Sequence, residues 1–86
     1  MKNYSVVYLT EAEDELVLAW EEADDRSAVA RAANEADEIL ARSPHERSVF
    51  LGEGLWRLEV SPLRFYFAIR EQDLIVEVSN VVGIPN

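Results

Sequence analysis

Two arginines, a glutamate and a tyrosine lie close together between Arg57 and Tyr66, and they are the residues of this chain best placed for chemistry. Arg57 and Arg64 carry guanidinium groups that stay protonated at any working pH, so they can hold an anion or steady developing negative charge. They cannot carry a proton. Glu59 and Tyr66 are the neighbouring side chains able to give or take one. The plainer account of the same residues is cross-strand ion pairing on a wet sheet face, which contributes about 0.2–1 kcal/mol, with Tyr66 packed and its hydroxyl exposed.

These side chains belong to Gly54–Arg70, which reads as two strands joined at Ser61-Pro62. In the first, Trp56, Leu58 and Val60 alternate with Arg57 and Glu59. In the second, Leu63, Phe65, Phe67 and Ile69 alternate with Arg64, Tyr66, Ala68 and Arg70. Successive side chains on a strand point to opposite faces. An antiparallel register that puts both apolar rows on one face therefore gathers Arg57, Glu59, Arg64 and Tyr66 on the other. Glu59 falls opposite Arg64 if the turn is centred on Ser61-Pro62, and opposite Tyr66 if it is centred on Pro62-Leu63. Proline prefers the first central position of a turn, which favours the second register.

The remaining elements must cover the apolar face of that hairpin. Tyr4 to Leu9 is a first strand, apolar on both sides and expected to be inner or well covered. Thr10-Glu11-Ala12-Glu13 has the form of a capping box and opens a helix with the stripe Ala12, Leu16, Ala19, Trp20 and Ala23. Asp24-Asp25 breaks that helix and caps a second, 26–42, whose stripe is Val29, Ala32, Ala33, Ala36, Ile39 and Leu40. Ser43-Pro44 ends it. So short a connection implies an antiparallel helical hairpin. A loop from His45 leads to a short edge strand near Ser48 to Leu51, punctuated by Gly52 and Gly54. After the central hairpin and the turn Glu71-Gln72-Asp73, Leu74 to Val82 is the last strand, with Leu74, Val76 and Val78 on one face. The expected fold is α+β: a small, mainly antiparallel sheet of four to five strands, with the helical hairpin on one face and the arginines on the other.

Eighty-six residues suggest one domain with a single core. The absence of cysteine excludes disulfides and thiolate metal sites and suits a reducing compartment. The apolar run after Met1-Lys2 is too short for a signal peptide or a membrane span, so a cytoplasmic protein is expected. The net charge of −9 argues against bulk attraction to free nucleic acid or an anionic membrane. Between Glu11 and Glu38 there are eleven acids against Arg26 and Arg31, whereas from His45 onward six acids face four arginines. The acidity therefore belongs to the helices, and its clusters, Glu13-Asp14-Glu15, Glu21-Glu22 and Asp37-Glu38, read as solvated faces. Nothing brings carboxylates from different elements together, so neither a metal nor a cofactor is expected. Gly52-Glu53-Gly54 lacks the lysine and following helix of a phosphate loop. His45 reads as a surface residue, and Trp20 and Trp56 as core.

The order and spacing of these segments resemble the RelE/ParE superfamily of bacterial toxins, which includes plasmid-stabilisation proteins. The resemblance runs from Leu9-Thr10-Glu11-Ala12, through Leu16 and Trp20 and the end of the second helix at Ile39-Leu40 and Pro44. It continues through Gly54-Leu55-Trp56-Arg57-Leu58 and Pro62-Leu63-Arg64-Phe65-Tyr66-Phe67-Ala68-Ile69 to Ile75-Val76-Glu77-Val78. It implies a toxin of a two-gene module neutralised by a cognate antitoxin. RelE-like members cleave mRNA on the ribosome without metal, and ParE-like members inhibit DNA gyrase. Arg57 and Arg64 match basic positions of the family sheet. Glu59 stands where a basic side chain is common, and Gly83-Ile84-Pro85-Asn86 supplies neither the further base nor the aromatic or histidine acid–base group of the nucleases. The single lysine, Lys2, lies at the far terminus.

Phosphodiester cleavage needs a base for the 2′-hydroxyl, an acid for the leaving oxygen and cations for the developing charge. Arg57 and Arg64 would supply the cations, leaving Glu59 and Tyr66 as the remaining proton carriers. The expectation is therefore a toxin-like protein acting by binding an antitoxin and a target such as gyrase. The alternatives are a ribosome-dependent, metal-independent mRNA endonuclease and a degenerate, non-toxic homologue.

Overall fold

A computed structural model describes residues 3–85, so Lys2 and Asn86 lie outside the described residues. Five strands and two helices follow in the order β1 (Ser5–Tyr8), α1 (Thr10–Glu22), α2 (Arg26–Arg42), β2 (Val49–Gly52), β3 (Leu55–Val60), β4 (Leu63–Arg70) and β5 (Ile75–Gly83). They form one mixed sheet of spatial order β1-β5-β4-β3-β2. The β2–β3–β4–β5 pairings are antiparallel, and β1 joins β5 in parallel. The connection from β1 to β5 is long enough to allow this, because both helices and three strands intervene. This is the expected α+β arrangement, with α1 against β5 and β1, and α2 against β1, β3 and β4. No helix among the described residues is long and apolar enough to cross a membrane.

The central hairpin sorts its side chains by the period-two rule. Trp56 pairs with Phe67, Leu58 with Phe65 and Val60 with Leu63, so the two apolar rows share one face. Leu58, Phe65 and Phe67 are fully buried there with Val76, Val78 and Leu40. The register differs from the one proline's usual preference favours. Glu59 lies opposite Arg64, and Ser61-Pro62 form the turn. That register puts proline at the second central position instead of the first, and the Ser61–Pro62 peptide is cis.

The last strand begins at Ile75, and Leu74 belongs to the turn before it, with φ of 53°. Phe67 pairs with Val78 but Tyr66 pairs with Asn80, so β5 carries an extra residue at Ser79. That bulge shifts the parity of everything after it, and Val81 joins Val76 and Val78 in the core.

Three further expectations are corrected. Thr10 is the first helical residue and not the cap: Glu13 N–H donates to the Leu9 carbonyl at 3.0 Å, and Leu9 N–H still donates to Val78 at 3.0 Å. The strand runs directly into the helix, and no side chain caps α1. β1 is an edge strand, not an inner one, with Ser5 and Val7 exposed, because the helices cover only one face of the sheet. Trp20 is 42% exposed, and the Arg26 guanidinium lies 4.7 Å from its ring centroid. α1 packs chiefly on β5, and of its stripe only Ala12 is fully buried. Trp56 is half-buried against the core, 5.0 Å from the Phe50 ring. In α2 the expectation holds: Asp25 accepts from Ala28 N–H at 3.1 Å, and Val29, Ala32, Ala36 and Leu40 are buried.

Candidate functional site

Alternate rungs of the β3–β4 ladder carry the four residues that the alternation brings to the uncovered face. Arg57 pairs with Tyr66, and Glu59 with Arg64. Arg64 donates from Nε and from a terminal nitrogen to the same Glu59 oxygen, at 2.9 and 2.6 Å. Glu59, and after it Tyr66, holds the Arg64 guanidinium above its ordinary pKa, so Arg64 stays a fixed cation. Its charge is largely answered within the protein. No hydrogen bond or ion pair holds the Arg57 guanidinium among the described residues, which leaves it the more available cation of the two. Further along the same face Arg70 bonds Glu77 at 3.2 Å.

What this arrangement can do is bind. It offers one available guanidinium beside a phenol, one guanidinium already paired, and exposed apolar side chains around them. Val49 and Val82, on the rungs of Arg57 and Arg64, are 50% and 42% exposed. Phosphoryl chemistry would require Glu59 to leave Arg64 before serving as a base.

Sequence reasoning missed three polar contacts. Glu15, assigned to a solvated face, accepts from Val81 N–H at 2.9 Å and from the Asn80 amide at 3.2 Å. Asp37, assigned likewise, accepts from the Tyr8 hydroxyl at 2.7 Å. Burial first, and then that bond, pushes the Tyr8 phenol well above its usual range. His45 is exposed as expected, but its Nε2 lies 2.8 Å from Glu71, which also accepts from the Tyr4 hydroxyl at 2.9 Å. The His45 ring stands edge-on to Trp56 at 5.3 Å. No sequence signal marks these pairs, because each joins elements far apart in the chain.

No family model matches the chain, and no curated protein matches it. Solved structures do. A chain of the RelBE2 toxin–antitoxin complex of Mycobacterium tuberculosis superposes with a TM-score of 0.83 at 19% identity, over 100% of this chain and 97% of that one. The isolated E. coli RelE toxin gives 0.69 at 15% identity, over 96% of this chain and 86% of its own. A chain of the chromosomal ParDE toxin–antitoxin system of P. aeruginosa gives 0.70 at 11% identity, over 95% and 97%. At such identities the likeness lies in the backbone: the strand, the helical hairpin and the mixed sheet in the same order. This chain has the fold shared by the RelE and ParE toxins.

Proposed function

We propose that this protein is the toxin-like component of a type II toxin–antitoxin module and that it acts in the cytoplasm by binding other proteins. The observation that carries this reading is the end-to-end superposition on a chain of the RelBE2 complex. The partner that follows is a cognate antitoxin, held at the sheet edge and on the face that carries Arg57 and Arg64. DNA gyrase is the target by analogy with ParE-like proteins. The Glu59–Arg64 pair supports binding over catalysis, because it uses the carboxylate and the guanidinium on each other. A net charge of −9 also works against capture of RNA.

A second reading is a metal-independent endonuclease acting on ribosome-bound mRNA, in which Arg57 steadies the developing charge and Tyr66, on the same rung, handles a proton. Glu59 and Arg64 would complete that site once their pair opened. Induced expression without a partner separates the two. Growth arrest with intact mRNA, relieved by co-expressing the product of the adjacent gene, is the expected result. Codon-linked mRNA cuts that vanish in Arg57→Ala and Arg64→Ala would replace it with the nuclease reading. No growth effect at all, with no binding by the neighbouring product, would mean a degenerate homologue.

A further inference from the structure

Where the helical hairpin turns, it stands over the far end of β5 and leaves an open cleft of about 840 Å³. That volume is within the range of sites that hold ligands. Leu18, Ala19 and Ala23 line it from α1; Val81, Ile84 and Pro85 line it from the other side. Leu18 is 55% exposed and Ile84 is half-buried, so the cleft has an apolar lining open to solvent. Among the described residues its charged lining is of one sign: Glu15, Glu22, Asp24 and Asp25, with no lysine or arginine.

Those four carboxylates are not equivalent. Asp25 is occupied capping α2, and Glu15 is occupied on Val81 and Asn80. Glu22 and Asp24 make no side-chain hydrogen bond or ion pair among the described residues. Arg26, next along the chain, is engaged elsewhere: it lies over Trp20 and donates to the Glu21 carbonyl at 3.2 Å. The backbone adds a second feature. β1 pairs with β5 only from Ile75 to Val78, so the β5 edge continues past the end of its neighbour. There the Val81 N–H meets the Glu15 carboxylate in place of a strand carbonyl.

We propose that this cleft docks a short basic segment of a partner protein, with an apolar anchor seated between Leu18 and Ile84 and lysine or arginine side chains on Glu22 and Asp24. Charge selects this occupant. A second copy of the chain would bring another −9 against an acidic cleft, and a nucleic acid would bring phosphates. A cation at an apolar anchor is attracted by both walls and answers the two uncommitted carboxylates. Neither Arg57 nor Arg64 lines the cleft, so this surface is additional to the one proposed above, and it does not require the partner to be an antitoxin.

The test uses the full chain and two fluorescein-labelled peptides with one leucine–alanine scaffold, one bearing four lysines and the other four glutamates at the same positions. Binding is read by fluorescence anisotropy, and its location by amide NMR shifts. The variant Glu22→Lys/Asp24→Lys is compared with Glu38→Lys/Glu46→Lys, which changes net charge equally at exposed sites outside the cleft. The expected result is that the lysine peptide binds the unaltered chain, shifts the amides of Leu18, Gly83 and Ile84, and loses at least tenfold in affinity in the cleft variant but under threefold in the control. Equal loss in both variants would reduce the effect to bulk charge and overturn the proposal. So would equal binding of the glutamate peptide, no binding of the lysine peptide, or shifts confined to the Arg57 face. Failure here leaves the toxin reading intact, since that rests on growth arrest and its relief by the neighbouring gene product.

Discussion

At the scale of single residues, several polar groups are answered by partners from other segments of the chain. Glu59 answers Arg64, Asp37 answers Tyr8, Glu71 answers both Tyr4 and His45, and Glu15 answers a strand N–H. Tyr8 makes the sharpest prediction. Its phenol is raised above the ordinary value of 10.0, by burial and then by Asp37, so folding favours the neutral form. The stabilisation is complete below pH 10 and is lost as pH rises through the folded value. Tyr8→Phe should therefore cost about 1 kcal/mol at pH 8, the usual worth of one such hydrogen bond. It should also flatten the fall in stability above pH 10. Urea denaturation at pH 8 and 10.5 checks both, and an unchanged alkaline slope would remove Tyr8 from the account.

At the scale of elements, local chemistry and packing do not always agree. The β2–β3 turn is Glu53-Gly54, with φ of 52° and 78°. Two residues at positive φ fit the type I′ turn that matches strand twist, and its preferred sequence is Asn-Gly. Glutamate tolerates that region poorly, whereas asparagine visits it readily. Glu53→Asn should raise stability by up to about 1 kcal/mol, seen as a higher urea midpoint with an unchanged slope. A fall in midpoint would show that Glu53 makes a contact worth more than its backbone conformation costs. The β5 bulge is the complementary case. Nothing in the Val78-Ser79-Asn80-Val81 pattern reveals an extra residue, yet without it Val81 would face solvent.

At the scale of the whole molecule, charge separates the two layers. The helical hairpin holds most of the acids, and the exposed sheet face holds guanidinium groups paired with glutamates. Like charges on neighbouring helical turns repel, and salt screens them. Raising sodium chloride from 50 to 500 mM should therefore stabilise the fold by on the order of 1 kcal/mol, which for a domain of this size is about 4–8 °C in Tm. A Tm that fell with salt would mean that the surface ion pairs outweigh the repulsion.

Much of this was legible from the residues alone. Period-two alternation placed Trp56, Leu58, Phe65 and Phe67 on one face and Arg57, Glu59, Arg64 and Tyr66 on the other. The Asp25 cap and Pro44 bounded α2. These follow from interactions within a few residues, or from a repeat that a strand must obey. What only the folded chain decided was the choice of register at Ser61-Pro62, the edge position of β1, the bulge at Ser79, and the partners of Glu15, Asp37 and His45. Each of those depends on which distant segment arrives alongside, and a one-dimensional pattern holds no record of that. The cleft beside Glu22 and Asp24 belongs to the same group, for its two walls are more than thirty residues apart in the chain and meet only when β5 closes the sheet.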